Sequence, residues 1–559
     1  MPNKQTTVAD YLIQFLEAKG IQYIPGVPGG TILPIYHSLA NSRIQHVLAR
    51  HEQGAGFIAQ GIARSSQKTG VFFVSSGPGV ANAITAVADA QRDSVPLLVV
   101  SGQVPTQLLG TDAFQELHTI EIVKSITKQA HLVLDAHSFP KILEDAFQAT
   151  MDGKQGPVWI DIPKDIQMSA LDFGPINEKK RHSHYFLTDS PNNSIEVAIQ
   201  KTISLLNNCE RPLLYFGGGA RGVNTFPLIR DLSQKFQIPS VSTLMGLGIF
   251  GKKDPLYLGM MGMHGSTFAN DALTHCDLLI ALGVRFDDRA TGNIDTFCPK
   301  AKVIHIDIDA REIGKNKKVD VSWKGDLSIF LECLLQNSIN PKDISWIDHL
   351  LEEKAHSIQD APLPSLFQQI YDCLNGEHFV LTDVGQHQMW VAQHFPFATP
   401  NSWITSGGQG TMGFGLPSSI GVALKNPSAT VLCFTGDGSI MMNLQELACL
   451  KEWNLNVKLI LMNNRHLGLV RQQQELFYEN IRSGSEFNFQ PNFCQLATSF
   501  GLEYVHCQLG EEYPFLSDWF ARKGPSLWEI EIPTEEGVFP FVPAGKSNQE
   551  YILSVPRKS

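Results

Sequence analysis

Several things are scarce in this chain, and each scarcity excludes something. No apolar run approaches the ~20 residues that span a bilayer. Residues 1–10 are polar and lack the apolar centre of a secretory signal. There are nine cysteines in 559 residues, all between Cys209 and Cys507 and with no CxxC pair. That pattern excludes a disulfide or zinc framework and fits a reduced, cytoplasmic setting. Positive charge is in deficit, with 44 Lys+Arg against 55 Asp+Glu and a net charge of −11. The acidic balance speaks against nucleic acid as a partner. Low-complexity tracts and short tandem repeats are missing too.

What remains is ordinary globular composition, 43% hydrophobic and 18% charged. At roughly 150 residues per domain, the length predicts three or four domains. Short Val/Ile/Leu-rich runs recur at 71–75, 96–101, 157–162, 212–216, 277–282, 303–309, 379–384, 430–434, 457–462 and 527–532. Continuous runs of that length suit strands buried on both faces of a parallel sheet. Helical stretches lie between them, for example 8–18 and 443–453. The alternation reads as α/β architecture, with three doubly wound parallel-sheet domains. Two polar stretches, 164–194 and 337–364, read as linkers, the second with room for a helix at 346–355. They divide the chain into 1–170, 190–340 and 365–559.

Glycine-rich segments follow the predicted strands: Ser76-Gly77-Pro78-Gly79, Gly217-Gly218-Gly219, Gly283, Val384-Gly385 and Gly436-Asp437-Gly438. In such sheets ligands bind beyond the carboxyl ends of the strands. Five such loops over three domains suggest a large cofactor enzyme. The sharpest signal is Gly436-Asp437-Gly438, then 24 residues, then Asn463-Asn464. A carboxylate plus an amide oxygen is a hard donor set suited to Mg²⁺ on phosphate oxygens. The glycines let backbone N–H groups approach a diphosphate.

This spacing resembles the motif of thiamine diphosphate (ThDP) enzymes. The resemblance implies Asp437, the Asn464 side chain and the His466 carbonyl as metal ligands. It implies Gln386 and His387 on the phosphates, with Gly410, Gly436, Gly438, Ser439 and Gly468 around the cofactor. Met412 would wedge between the two cofactor rings. Glu52, in Arg50-His51-Glu52-Gln53-Gly54, would share a proton with the aminopyrimidine and so start the chemistry. In that superfamily the glutamate and the diphosphate site come from different subunits, which implies at least a homodimer.

Further segments narrow the resemblance: Gly26-Val27-Pro28-Gly29-Gly30, 110–116, 156–165, Met263-His264-Gly265, Arg285-Phe286-Asp287-Asp288-Arg289 and 384–390. Together they resemble the FAD-containing acetolactate synthase (acetohydroxyacid synthase) large catalytic subunits, over about residues 7–545. The family joins pyruvate to a second pyruvate or to 2-ketobutyrate, on the way to valine, leucine and isoleucine. The resemblance implies ThDP folds at both ends and a Rossmann-like FAD domain between. It places Gly29 near the reacting carbon, Phe114, Gln115 and Lys128 along the pocket, and Arg289 on the second substrate's carboxylate. Without the resemblance, Arg289 reads equally as an ion pair with Asp287 or Asp288, and Lys128 as a solvated lysine. Around FAD it implies Lys154, Gly217, Gly218, Gly219, Thr243, Leu244, Met245, Met263, His264, Gly265, Gly283, Arg285 and Asp288, with Asp307, Ile308, Asp309 and Asp326 at the ribose or adenine end. A small regulatory subunit is a common partner in the family.

Four segments depart from the family pattern. Lys154 stands where Arg is usual, Val80 replaces the Ala of SGPGATN with Ala81 in place of its Thr, and Gln409 replaces a Leu. Gln473 stands where members favouring 2-ketobutyrate carry Trp, so little bias between acceptors is expected. The rival readings are another ThDP and flavin enzyme of pyruvate, an oxidase or decarboxylase, or a catalytically silent cofactor-binding subunit.

Overall fold

The computed structural model describes residues 6–171, 194–356, 361–397 and 401–554. All ten apolar runs are strands, and they form the centres of three six-stranded parallel sheets. Their residues are buried on both faces, as in Gly70–Val74, Leu97–Gln103 and Val457–Asn463. That is the condition under which a strand reads as a continuous apolar run.

With each sheet's strands counted in chain order, the first sheet (Tyr23 to Pro163) runs 2-1-3-4-6-5. The middle sheet (Pro212 to Lys324) runs 3-2-1-4-5-6, the doubly wound dinucleotide-binding order. The last sheet (His378 to Glu531) repeats 2-1-3-4-6-5. Each order reverses beside its strand 1 (the end sheets turn back once more, at 6-5), and the reversal beside strand 1 leaves a crevice at the strand ends. In the first sheet that crevice lies between Tyr23–Gly26 and Gly70–Val74. In the middle sheet it lies between Pro212–Phe216 and Leu278–Leu282. In the last it lies between His378–Thr382 and Thr430–Gly436. All the glycine-rich segments named above sit at one of these crevices.

The polar stretch at 164–194 is not linker from its start. Helix Lys164–Met168 continues from the sheet, and Ala170–Leu171 pairs antiparallel with Thr6–Thr7. Residues 172–193 lie outside the described residues. In the second polar stretch, a 3₁₀ turn at Ser345–Ile347 leads into helix Asp348–His356. The turn and the helix join the middle domain's core through Ile347 and Leu350.

The first and last sheets share one apolar core. Helix Glu52–Ser66 lies against helix Gly415–Lys425, and residues from Val47 to Trp159 merge with residues from Phe379 to Leu527 in a single cluster. The approach is backbone to backbone: a Cβ at Gly61 would meet the Ser418 carbonyl oxygen, and one at Gly421 would meet that of Ile58.

One buried carboxyl in the first sheet makes stability depend on pH. Asp161 accepts hydrogen bonds from Ser101 Oγ (2.5 Å) and Gln103 Nε2 (3.0 Å). Burial pushes it up to about 6. The folded state therefore holds this proton more tightly than the unfolded chain. Its contribution is fully present below the ordinary aspartate range and is lost as pH rises through about 6. Asp161→Asn should flatten this dependence. Melting temperatures at pH 5 and pH 7.5 would show a smaller difference in the variant than in the parent, and an equal difference would exclude Asp161 as the source.

Candidate active site

The crevice of the last sheet gathers a polar cluster. Thr430–Gly436 ends at Asp437, which opens a short helix, and Val457–Asn463 delivers Asn464 from the adjacent strand. Asp437 is buried, and its partners are neutral: Gln490 Nε2 and backbone N–H groups. Burial pushes its carboxyl up to about 7. A buried carboxylate without a cationic partner is short of one positive charge, and a hard divalent cation would supply it.

Beside it, Asn464 Nδ2 donates to Gln386 Oε1 (2.8 Å), and Gln386 Nε2 donates to Gln472 Oε1 (3.1 Å) and the Glu536 carbonyl (3.2 Å). The His466 N–H donates to Asn464 Oδ1 (3.1 Å), which curls the segment back on itself. His387 is buried with Nε2 unpartnered, and burial lowers its pKa to about 3. A neutral imidazole is thus held against the glycines. A Cβ at Gly436 would lie 3.0 Å from His387 Nδ1, one at Gly468 would meet Gln386 Oε1, and one at Gly438 would come 2.9 Å from Phe487. Ser439 Oγ donates to the Val384 carbonyl (2.9 Å). Among the described residues, no group of three or more His, Cys, Asp or Glu side chains could hold a metal. The implied set of one carboxylate, one amide oxygen and one main-chain carbonyl is of another kind, and the cluster fits it.

Gly410 and Met412 belong to the loop 405–413, which crosses from this sheet toward the first. Asp383 holds its far end, accepting from Gly413 N (2.7 Å) and Gly415 N (3.3 Å).

The crevice of the first sheet holds a second cluster. Glu52 begins its helix after the His51 cap and accepts from Asn82 Nδ2 (2.9 Å). Thr31 Oγ1 lies 3.0 Å from Ser75 Oγ and 3.1 Å from Ser76 Oγ, and a Cβ at Gly29 would strike Ser75. Gln115, at φ 63°, packs against Gly77, while Phe114 is 87% exposed. Among the described residues, no hydrogen bond or ion pair joins Glu52 to Asp437, Asn464 or Gln386. The two clusters are thus not in direct hydrogen-bonded contact.

The third site is a cavity of about 810 Å³ at the crevice of the middle sheet. It is lined by Gly217, Gly218, Gly219, Thr243, Leu244, Met245, Met263, His264, Gly283, Arg285, Asp288, Asp307, Ile308 and Asp326, by Lys154 from the first sheet, and by Arg289, Gly410 and Gln473. Glycine is needed here: a Cβ at Gly217 would lie 2.9 Å from the Gly283 carbonyl oxygen. A dinucleotide fits the size and the switch-point position. Lys154 Nζ pairs with Glu312 (2.9 Å) and Asp309 (3.5 Å) at one end.

Three anticipated residues stand elsewhere. Lys128 Nζ donates to the carbonyls of Ala149 and Asp152, under the loop that carries Lys154, and not toward Phe114. Asp309 is turned onto Arg311 (2.8 Å) and Lys154, and Gly265 packs on Met261, so neither lines the cavity. Arg289 is largely exposed, 3.8 Å from Asp288, and donates to Met263 Sδ (3.4 Å). Sequence reasoning missed Gln490, which lies in no motif yet bonds Asp437. It also missed Glu446, which is buried, accepts the Arg50 N–H (2.9 Å) and is raised to about 7 by burial. Only their spatial partners reveal them.

Three family models match: "Thiamine pyrophosphate enzyme, N-terminal TPP binding domain" over residues 6–122, the central domain over 199–334, and the C-terminal TPP binding domain over 383–530. The acetolactate synthase isozyme 1 large subunit of Escherichia coli K12 is 45% identical over 564 residues, covering 98% of each chain. The isozyme 2 large subunit of the same organism is 41% identical, covering 97% of this chain and 99% of its own. The acetolactate synthase large subunit of Lactococcus lactis is 40% identical, covering 98% of this chain and 96% of its own.

Proposed function

We propose, for a chain that belongs to the acetolactate synthase large-subunit family of thiamine pyrophosphate enzymes, that it removes CO₂ from pyruvate and joins the remaining two carbons to a second 2-keto acid. With pyruvate as acceptor the product is 2-acetolactate; with 2-ketobutyrate it is 2-aceto-2-hydroxybutyrate. The observation that carries the reading is the full-length likeness together with Glu52, Asp437 and Asn464 all in place at strand-end crevices.

Bound ThDP would supply the electron sink for decarboxylation and carbon–carbon bond formation. The chain's own residues do the rest. Asp437, Asn464 Oδ1 and the His466 carbonyl would hold Mg²⁺, and neutral His387 and the glycines would admit the diphosphate without a competing charge. The Glu52 carboxylate, oriented by Asn82, would share a proton with the cofactor's ring nitrogen. By likeness to the thiamine diphosphate superfamily, the complete site would form between two copies, Glu52 of one facing Asp437 of the other. FAD would occupy the middle cavity. The reaction has no net redox change, so its role there is structural. Arg289 at the cavity rim, with its exposed guanidinium, would receive the acceptor's carboxylate. A small regulatory subunit accords with relatives named as large subunits.

Incubation with ThDP, Mg²⁺, FAD, pyruvate and inorganic phosphate in air tests the reading: acetolactate, read as acetoin after acid treatment, is expected. Acetyl phosphate or acetaldehyde in its place would mean an oxidase or a decarboxylase.

Gln473 lines the cavity with Met263 and Arg289. It offers no broad apolar face to the extra methyl of 2-ketobutyrate. Gln473→Trp should raise the preference for that acceptor about tenfold, the worth of one methylene in an apolar pocket. Product ratios from equimolar acceptors would show it, and an unchanged ratio would remove Gln473 from the specificity pocket.

A further inference from the structure

The loop 405–413 touches both cofactor regions and is gripped from a third direction. Arg64, on helix Glu52–Ser66, pairs through NH2 with Asp89 (3.2 Å) and Asp93 (2.9 Å), all three nearly sealed from solvent. Both aspartates lie on helix Pro78–Asp93 of the first sheet's domain. Asp93 accepts the N–H of Gly407 (3.0 Å) and of Gly408 (2.7 Å). Asp89 accepts from Ser406 Oγ and from Thr411 Oγ1 (3.0 Å), and Arg64 NH1 donates to the Thr405 carbonyl (3.2 Å).

On its other side the loop forms a wall of the middle cavity, from Ser406 to Gly410. Gly407 lies against Met245, and a Cβ at Gly408 would be 3.2 Å from Arg285 NH2. Arg285 in turn donates to the Arg92 carbonyl (2.7 Å), next to Asp93. Met412 and the Gly413 N–H held by Asp383 follow within three residues of Gly410. The cavity wall is therefore a segment whose position is also set by the Asp89–Asp93 clamp and which leads directly to Met412.

We propose that Asp89 and Asp93, held by Arg64, are positioning residues that tie occupancy of the middle-domain cavity to the geometry of the loop bearing Met412, so that FAD and ThDP bind cooperatively. This rests on the two cofactor assignments proposed above. It gives a flavin without redox work a function, that of bracing the loop which receives the thiamine ring. The anchoring bonds are charge-assisted and buried, so the loop has one well-defined seat.

Linkage requires the coupling to be reciprocal. FAD affinity is read from quenching of flavin fluorescence, with and without ThDP and Mg²⁺. ThDP affinity is read by calorimetry, with and without FAD. Each cofactor should tighten the other by the same factor, about fivefold or more. In Asp93→Asn both factors should fall toward one. That variant leaves a balanced Arg64–Asp89 pair, so folding is expected to survive. Should it not, Thr411→Val removes a single bond to Asp89 and should lower the coupling. Equal affinities with and without the second cofactor in the parent protein would overturn the proposal. So would undiminished coupling in both variants. If the parent binds no FAD or no ThDP at all, the cofactor assignment itself fails and this inference falls with it.

Discussion

Replacing Glu52 with glutamine will leave the protein folded and still able to bind ThDP, but will lower turnover by about 10²–10⁴, the usual share of a positioned proton-transfer group. Glutamine has nearly the same shape and keeps an oxygen to accept from Asn82 Nδ2. What it cannot do is share a proton with the cofactor's ring nitrogen. Steady-state rates together with calorimetric ThDP binding would separate the two effects, and an unchanged rate would exclude the proposed role. The proposed pairing of the two clusters between copies has a sharper test. An Asp437→Asn chain is also expected to be inactive, because the metal loses its carboxylate. Mixed in equal amounts and allowed to exchange, the two inactive chains should recover about a quarter of the parent activity. Random pairing makes half the dimers mixed, and each mixed dimer has one of its two sites intact. No recovery, with exchange demonstrated, would place both halves in one chain.

The second large effect concerns stability. Gly421→Ala should lower stability by about 3 kcal/mol or more, because overpacking is costly where the obstacle is backbone. The added methyl would meet the Ile58 carbonyl oxygen, with Ile62 N at 2.9 Å, and neither can rotate away. Gly61→Ala should act alike through Ser418. At Gly251 an added methyl would have nothing within 4 Å, so Gly251→Ala serves as the control. A drop in melting temperature of roughly 5–10 °C for the first two, and none for the third, is expected. Equal melting points would mean that the helices can separate freely. Because the helix that Gly61 belongs to begins at Glu52, activity should fall with stability.

The central strands were legible because burial on both faces leaves an uninterrupted apolar run, as in Pro157–Pro163 and Val457–Asn463. Shorter or half-exposed strands were not. Ser240–Ser242 is three small residues, and Val321–Lys324 alternates buried with exposed. Glu503–Gln508 lies at a sheet edge, with Glu503, His506 and Gln508 interrupting its apolar residues. The shared strand order of the end sheets left no trace, since topology is set by where apolar faces meet and not by any repeated string. The catalytic clusters were legible where chemistry demands a fixed residue type at a fixed spacing, as with Asp437 and Asn464. Residues whose meaning lies in a distant partner were silent. Asp93 reads as the end of a helix until Gly408, over three hundred residues later, donates to it. Lys128 was drawn to the substrate pocket by family likeness alone; in the folded chain its ammonium donates to the carbonyls of Ala149 and Asp152.

The single core joining the outer two sheets also constrains how the polypeptide can be made. When helix Glu52–Ser66 leaves the ribosome, its glycine- and alanine-rich face has no counterpart until helix Gly415–Lys425 is synthesised. At synthesis rates of about 5–20 residues per second that interval is roughly 20–70 s. Once Pro157–Pro163 has completed the first sheet, that face stays uncovered beside it until residue 415 follows. A chaperone that recognises small apolar faces would have its natural client window there, and slowing translation between the two helices should lower the yield of native protein more than slowing it after residue 425.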